Sequence, residues 1–222
     1  MSGQIVDILT ADIRNGIYHE GDALPSERHM VEQFGVSRIT VREALAELER
    51  SGLVVQHPGA RTKVRLPDSA SMVELLSSAA SLHLAQPGGV RYFQEVRTLV
   101  ETGVTQMAAE KTSHDRVADL RAALADNEDS LGDVARFAAT DIAFHAAICA
   151  ILDNPILSGF YLAFDRWLSE LRRKTLAVEG QMQTAFEAHV AIFRAIEARD
   201  PATAQDAMRG HLVQVNRVYE GL

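Results

Sequence analysis

The sequence predicts a mainly α-helical protein in two parts, a small N-terminal domain with two short strands and a larger C-terminal domain that is entirely helical. Two observations lead to this prediction. Residues 24–64 read as two short helices followed by two extended segments around a turn. After residue 70 the strand signals disappear, and apolar residues recur at spacings of three and four. We therefore expect domains at residues 1–66 and 71–222, joined by a linker at residues 67–70.

The first domain is expected to contain three helices. The first spans about residues 3–15, and the second opens at Ser26, whose hydroxyl can cap free amide groups. Gly35 supplies the turn to the third helix, which Ser37 caps. The apolar positions of the third helix, which should face the core, are Ile39, Val41, Ala44, Leu45 and Leu48.

The N-terminal end of the third helix has basic and hydroxyl side chains at Arg38, Thr40 and Arg42. In a helix-turn-helix, this end of the recognition helix enters the major groove of DNA. Residues 53–55 and 62–64 then read as two strands around a turn. The first domain is therefore predicted to be a winged helix-turn-helix.

The charge of the chain divides along the same boundary. The net charge is −8, which by itself argues against a nucleic-acid partner. However, residues 1–66 hold 8 basic and 9 acidic side chains, whereas residues 67–222 hold 14 and 21. Residues 37–66 alone hold 6 basic and 3 acidic side chains. A local basic surface is compatible with DNA binding, and the acidic remainder would weaken non-specific adhesion to phosphate.

Composition argues against several classes of protein. The single cysteine, Cys149, cannot form a disulfide framework and fits a reducing compartment. Charges interrupt the N-terminal residues, which lack the apolar core of a signal peptide, and no apolar run approaches the length that spans a membrane. We therefore expect a soluble, cytoplasmic protein with no membrane partner.

Residues 71–222 are predicted to form an all-α bundle. Turn and capping residues separate its helices, and the pair Asp200-Pro201 combines a capping carboxylate with proline at the first helical position. The expected helices lie near residues 71–84, 90–111, 115–128, 133–151, 155–178, 181–199 and 201–220.

Four motifs of the first domain occur together, namely LPSER, FGVSRITVREAL, LxxSGLV and a wing that contains PG. Their combination resembles the GntR family of bacterial transcription regulators over residues 3–66. The chemistry agrees, because arginine can pair with guanine through two hydrogen bonds or hold a phosphate. The resemblance implies DNA contacts at Arg28, Arg38, Thr40, Arg42 and Gly59. To this expected DNA surface we add Ser26, Ser37 and Arg61.

The wing departs from the usual pattern of the family. Members often read PGxGTFV, whereas this chain reads PGARTKV, with Arg61 and Lys63 in place of a glycine and an aromatic residue. The two basic side chains either stay solvated or add contacts to phosphate or the minor groove. The sequence favours neither interpretation.

A second group of residues has the chemistry of metal ligands. Asp141 and His145 lie four residues apart on one predicted helix and therefore project from the same face. His189 and His211 lie on separate predicted helices. One carboxylate and three imidazoles are ligands that Zn²⁺, Ni²⁺ or Mn²⁺ accepts. A single histidine on an amphipathic helix is more often a core or surface residue, so spacing alone favours a structural role.

The C-terminal region resembles the FCD ligand-binding domain of the FadR branch of GntR regulators, which is an antiparallel helical bundle. Metal-binding members have an Asp and a His four residues apart, then a His on each of two later helices. The resemblance therefore implies a bound divalent metal, with zinc preferred and nickel or manganese as alternatives. Its expected ligands are Asp141, His145, His189 and His211.

Two arginines are expected at an effector site. Arg97 could form a surface ion pair with Glu101, four residues later, but the arginine at this place in FCD domains commonly faces the cavity and binds a carboxylate. Arg172 follows Trp167 in a stretch similar to FCD regulators of sialic acid and related sugar acids. Trp167 could equally pack in the core, and Arg172 could equally lie at a solvated helix end.

Together these features predict a homodimeric transcription repressor rather than an enzyme. Its affinity for a double-stranded operator would be controlled by a small organic or sugar acid at the metal, with sialic acid as the preferred candidate. An alternative is a metal-dependent hydrolase or isomerase with the same ligands, although the sequence shows no convincing general base and no nucleophile motif. A third interpretation is a helical dimerisation or adaptor protein.

Overall fold

A computed structural model describes residues 1–57, 59–66, 80 and 82–221 of the chain. The chain divides into two compact units, Met1–Ser71 and Met72–Leu222. Each unit has its own apolar core. The predicted linker and most of the helix predicted at residues 71–84 lie outside the described residues.

The first unit is built on three helices, α1 (Ser2–Arg14), α2 (Glu27–Phe34) and α3 (Arg38–Arg50). Both α1 and α2 pack against α3. Apolar residues at helical spacing place one face of each helix in the shared core. The buried residues of this core include Ile5, Leu9, Met30, Val41, Leu45 and Leu48.

The predicted helix caps of the first unit are confirmed. The Ser26 hydroxyl accepts a hydrogen bond of 3.2 Å from the backbone N–H of His29. The Ser37 hydroxyl accepts one of 3.1 Å from the backbone N–H of Thr40. Gly35, between α2 and α3, has φ of +63°, a left-handed conformation that glycine adopts without steric cost. These local signals set the angle at which α3 leaves α2.

The prediction that Ile39 faces the core is wrong, because its side chain is 71% exposed. Val41, Leu45 and Leu48 point into the core from the opposite side of α3. Two residues correspond to about 200° around a helix, so Ile39 and Val41 cannot share a face. Ile39 therefore lies between Arg38 and Thr40 on the exposed side of the helix.

The wing consists of two antiparallel strands, β1 (Val54–Val55) and β2 (Lys63–Val64), with Val54 opposite Val64. A third extended segment joins them, since the backbone N–H of Leu24 donates to the carbonyl of Thr62 at 2.9 Å. This pairing of the loop before α2 with β2 was not predicted.

The wing is also held to the recognition helix by a side chain. The two carboxylate oxygens of Glu49 on α3 accept hydrogen bonds from Gln56, one from its backbone N–H at 2.9 Å and one from its side-chain amide at 3.1 Å. Gln56 directly follows β1. The first strand of the wing therefore leaves α3 in a defined direction.

The second unit is helical, as predicted, and six of its helices match the predicted spans to within two residues at each end. Side-chain caps mark four of the helix starts, at Ser113, Asp133, Asn154 and Asp200. The helices are α4 (Gly89–Lys111), α5 (His114–Glu128), α6 (Val134–Ala150), α7 (Pro155–Leu176), α8 (Gln181–Glu197) and α9 (Pro201–Glu220).

The packing of these helices brings distant parts of the chain together. Helix α9 lies along both α4 and α8, and α6 packs between α5 and α7. Their shared core contains Phe144, Ile148, Ile192, Ile196 and Met208. Within this apolar interior lies a group of buried polar side chains from α4 to α9. Among the described residues, no helix is both long enough and apolar enough to cross a membrane.

Candidate functional site

The predicted DNA surface of the first unit is exposed. The side chain of Arg28 is 79% exposed and lies 3.4 Å from Glu32, one turn later on α2. The side chain of Arg42 is 73% exposed, and its Nε donates to both carboxylate oxygens of Glu27 at 3.1 Å. Because Glu27 occupies only Nε, the two terminal nitrogens of Arg42 remain directed away from that contact.

The start of α3 and the wing border one cleft of about 600 Å³. Four of the predicted DNA residues line this cleft, namely Ser26, Arg42, Gly59 and Arg61. Gly59 has φ of +76°, so the wing tip uses a backbone conformation that favours glycine. The Ser26 and Ser37 hydroxyls are occupied as helix caps, and the Ser37 hydroxyl also bonds the Thr40 hydroxyl at 2.9 Å. Both serines therefore cap the N-termini of the helices that follow them.

In the second unit, the four predicted metal ligands come together. Each is less than 5% exposed, and one ligand atom from each lies within 4.8 Å of the others. Helix α6 supplies two ligands one turn apart, and α8 and α9 supply one each. The packing of α8 against α9 and against α6 brings these side chains together. The four residues are Asp141, His145, His189 and His211.

Several polar atoms of this cluster have no hydrogen-bond partner. They are both ring nitrogens of His145, Nε2 of His189 and Nδ1 of His211. His145 Nδ1 does approach Glu101 Oε2 at 2.6 Å, but the direction of this contact is not that of a hydrogen bond. Buried polar atoms are nearly always paired, so a group of unpaired ones calls for a missing partner. A cation would satisfy one nitrogen of each of the three imidazoles at once, and the residues therefore fit a metal ion.

The electrostatics of the cluster favour, for three of its members, the protonation states that metals require. Burial lowers the pKa of His189 and of His211, and the neighbouring imidazoles lower that of His211 further. Burial alone would raise the pKa of Asp141, but the Arg172 cation holds it well below its usual value. Neutral imidazoles and an ionised carboxylate are the forms that coordinate a metal.

Two buried arginines flank the cluster, and both are paired with carboxylates. Arg172 Nε lies 2.9 Å from Asp141 Oδ2, and the same guanidinium pairs with Asp165. Arg97 Nε lies 2.5 Å from Glu101 Oε1. The ion pair between Arg97 and Glu101 therefore forms as the sequence suggested, but in the interior rather than at the helix surface. The solvated position considered for Arg172 is likewise not found, since only 7% of this residue is exposed.

A cavity of about 20 Å³ lies beside the cluster. Its lining combines ligand and effector candidates, and apolar side chains such as Leu168 complete it. A volume of this size holds about one water molecule, so no organic acid fits without side-chain movement. The polar residues of the lining are Gln94, Arg97, Asp141, Arg172, Thr175 and His211.

Comparison with known proteins agrees with both halves of this description. The family described as bacterial regulatory proteins of the gntR family matches residues 1–64, and the FCD domain matches residues 93–214. The chain belongs to the GntR family and has an FCD domain. GntR proteins are transcription regulators and not enzymes, which decides against the alternative of a metal-dependent hydrolase or isomerase.

Individual GntR relatives extend over the whole chain. The HTH-type transcriptional repressor NanR of Klebsiella aerogenes is 36% identical over 224 residues, which cover 100% of this chain and 86% of that protein. NanR of an Enterobacter species is 35% identical over 221 residues, which cover 99% of this chain and 85% of that protein. A solved GntR structure from Streptococcus agalactiae superposes with a TM-score of 0.68 at 23% identity, covers 98% of this chain and 100% of its own, and shows the shared fold.

Three residues that contact the buried cluster or its flanking arginines were not among the predicted site residues. Glu101 had a sequence signal, because it follows Arg97 by one helical turn, but only its partner was selected. Asp165 lies seven residues before Arg172 on α7 and pairs with it. Asn127 places its amide oxygen 2.8 Å from Nδ1 of His189, which lies 62 residues away in the chain. No local pattern distinguishes Asn127 from an ordinary polar residue near a helix end.

Proposed function

We propose that this GntR protein is a transcriptional repressor that binds a palindromic operator as a homodimer and is controlled by a small acid at a metal centre. The observation on which this proposal rests is the combination of an exposed helix-turn-helix with a buried cluster of four potential metal ligands between two buried arginines. The full-length relationship to NanR repressors supports the sign of regulation. As a DNA-binding regulator, the protein would act in the cytoplasm.

The proposed DNA contacts divide by chemistry. Arg38 and Arg42 at the start of α3 would reach base edges, where a guanidinium pairs with guanine O6 and N7. Arg28 and Thr40 would contact the backbone and hold the helix in register. At the wing, Gly59 would allow close approach to DNA. The proposed surface also includes Ser26, Ser37 and Arg61.

The proposed metal is a divalent ion bound by Asp141, His145, His189 and His211. One carboxylate and three imidazoles suit zinc, and the same set accepts nickel or manganese. When bound, the ion would supply an electrophilic centre that attracts the carboxylate of an acid. The chain itself would supply neutral imidazole nitrogens, an ionised Asp141 and a mostly apolar surrounding that excludes water.

The proposed effector is a small carboxylate or sugar acid, with sialic acid as the first candidate because the relatives are named NanR. Arg97 and Arg172 line the cavity and would bind the carboxylate group through two hydrogen bonds each. Since both are already paired, an acid would have to displace Glu101 or the two aspartates from a guanidinium. Binding would thus rearrange ion pairs between α6 and α7. A change of this kind can control DNA only if the acid binds the two states of the repressor with different affinity.

Exposed apolar side chains support the proposed homodimer. Tyr92, Val96 and Leu99 are 46–75% exposed and follow one another at spacings of three and four on α4. Isolated exposed apolar residues are common, but a helical stripe of them is typical of an interaction surface. A second copy of the chain would cover this stripe in the proposed dimer.

The experiment that tests the proposal starts from DNA selected from a randomised duplex pool by the zinc-loaded protein. A palindromic consensus bound with a stoichiometry of two chains is the expected result. Titration with sialic acid and with simple dicarboxylic acids should then change the affinity for that duplex. Failure to select any sequence, with metal and without, would rule out the proposal.

A further inference from the structure

Asn127 is a fully buried amide in the last turn of α5, and it contacts one of the proposed ligands. Its Oδ1 lies 2.8 Å from Nδ1 of His189 on α8. Its Nδ2 lies 3.0 Å from the hydroxyl of Thr140 on α6. Asn127 therefore connects the helix of one ligand, His189, to the helix that supplies Asp141.

A chain of hydrogen bonds fixes which atom of this amide faces His189. The Ser130 hydroxyl lies 2.6 Å from the backbone carbonyl of Asn127, and a carbonyl only accepts, so Ser130 donates. The Ser130 and Thr140 hydroxyls lie 2.8 Å apart. Because the Ser130 proton is already used, the Thr140 proton goes either to the Ser130 oxygen or to the backbone carbonyls of Phe137 and Arg136 at 3.1 and 3.2 Å. The Thr140 oxygen is then left to accept from Nδ2 of Asn127.

The opposite orientation of the amide would break this chain. If Oδ1 of Asn127 faced Thr140, either the Thr140 proton would have to leave its Ser130 or backbone acceptor, or the Asn127 and Thr140 oxygens would meet at 3.0 Å without a proton between them. Such a contact between two acceptors is unfavourable in a buried site. The network therefore places Oδ1 against His189, where a carbonyl oxygen needs an N–H donor.

The consequence for His189 is a defined tautomer. Its Nδ1 carries the proton and donates to Asn127, so its Nε2 carries a lone pair. Nε2 has no hydrogen-bond partner and lies 3.3 Å from Oδ1 of Asp141, which is also an acceptor. Two acceptors at this distance in an apolar interior repel each other, and a cation close to both would remove the repulsion.

The plane of the His189 ring is set by other residues. Phe144 stacks on it at 4.6 Å between ring centroids with 25° between the planes, and Phe137 is nearly parallel at 6.5 Å. These contacts are equally good if the ring flips by 180° and exchanges its two edges. The stacking therefore does not select one ring orientation, whereas the bond of 2.8 Å to Asn127 does.

We propose that Asn127, supported by Thr140 and Ser130, is a positioning residue that holds His189 as the Nδ1–H tautomer with Nε2 turned to the metal. This inference rests on the proposed metal centre and extends it to residues outside the ligand set. Partners that orient a ligating histidine contribute 10–100-fold to metal affinity in other proteins. A residue that acts in this way should also leave a signature in the metal-free protein.

The experiment compares wild type with Asn127→Leu, Asn127→Asp and Thr140→Val in the full-length chain. Zn²⁺ affinity is measured by competition with a chromogenic chelator, and the ring tautomer of His189 is measured by ¹⁵N NMR of the metal-free protein. Asn127→Leu should weaken Zn²⁺ binding by about 10–100-fold and mix the two tautomers. Asn127→Asp keeps an acceptor oxygen and should retain both the tautomer and most of the affinity. Thr140→Val frees the amide to turn and should give an intermediate loss.

Thr102→Val is the matched control. The Thr102 hydroxyl is buried and donates to a backbone carbonyl at 2.7 Å on α4. Its loss should lower thermal stability without changing the tautomer or the Zn²⁺ affinity. The proposal is overturned if Asn127→Leu keeps the wild-type tautomer and the wild-type Zn²⁺ affinity. If Asn127→Leu does not fold, the other two variants decide: the proposal is overturned if Thr140→Val does not bind Zn²⁺ more weakly than Asn127→Asp or keeps the tautomer of wild type. Absence of Zn²⁺ binding by wild type would instead refute the metal centre, while the NMR measurement would still decide the tautomer.

Discussion

The two units hold their arginines in opposite ways. In the winged domain, Arg42 is largely exposed and is paired with Glu27 in contact with solvent. In the FCD domain, Arg172 is buried between Asp141 and Asp165. An exposed ion pair is worth at most about 1 kcal/mol and exchanges readily, whereas a buried one is costly to break. The difference suits the proposed function, in which the surface binds and releases DNA and the interior would change state only when a ligand supplies the energy.

The largest expected difference concerns stability. Arg172→Met leaves Asp141 buried without its cation and should lower the free energy of unfolding of the FCD domain by about 3–5 kcal/mol. Arg42→Met removes an exposed pair and should cost less than about 1 kcal/mol in the winged domain. Urea denaturation in the presence of EDTA, with the transition of each domain followed separately, measures both values. Similar losses of unfolding free energy for the two variants would show that burial does not make the Arg172 ion pairs more important for stability than the Arg42 ion pair.

Metal should stabilise one domain and not the other. A ligand that binds only the folded state adds about 2.7 kcal/mol at 100 times its dissociation constant. Zn²⁺ at that concentration should therefore raise the melting temperature of the FCD transition and leave the winged-domain transition unchanged. His211→Ala should abolish the shift, and His29→Ala, an exposed histidine of α2, should preserve it. A shift that survives His211→Ala would place the metal elsewhere.

The ion pair between Glu27 and Arg42 should affect the sequence specificity of DNA binding more than its overall affinity. Glu27→Gln removes the carboxylate that orients Arg42, and it should lower the ratio of operator to random-duplex affinity by about 1 kcal/mol, or roughly fivefold. It should at the same time strengthen random-duplex binding, because a negative charge is lost. Glu47→Gln removes the same charge from an exposed position of α3 and should strengthen binding to both duplexes equally. A Glu27→Gln variant that behaves like Glu47→Gln would mean that the pair does not orient Arg42.

The smallest expected effect is at the wing. If Arg61 contacts a phosphate, Arg61→Ala should reduce the slope of log affinity against log salt concentration by about 1. Arg14→Ala, an exposed change in the last turn of α1, should leave the slope unchanged. Fluorescence anisotropy over a series of salt concentrations measures the slope. A slope equal to that of wild type would indicate that Arg61 remains solvated.

The same contrast between the units explains what could be predicted from sequence. The helix-turn-helix depends on local signals, because the serine caps and Gly35 act within a few residues of their position in the chain. The prediction was wrong at Ile39, because an apolar residue two positions before Val41 lies on the opposite side of the helix and cannot face the same core. The third extended segment at Leu24 was missed because it pairs with residues nearly 40 positions away.

The FCD site could be predicted only in part. Spacing placed Asp141 and His145 on one face, but residue type and family resemblance were needed to add His189 and His211 from other helices. Asn127 and Asp165 were missed because their importance arises from helix packing, which no periodicity encodes. Glu101 was seen only as a partner of Arg97, since its approach to His145 also depends on how α4 meets α6.

The bond between Glu49 and Gln56 has a consequence for the operator. Since a residue of the recognition helix holds the first strand of the wing, the major-groove reader and the wing should keep a constant separation along the duplex. The footprint of one half-site would then be a fixed length, whatever ligand the regulator has bound. An effector would then have to change the distance or the relative rotation of the two winged domains of a dimer. Such a dimer binds best when its two half-sites are separated by whole turns of about 10.5 base pairs. Operators with half a turn inserted between the half-sites should therefore mimic the induced state without any acid.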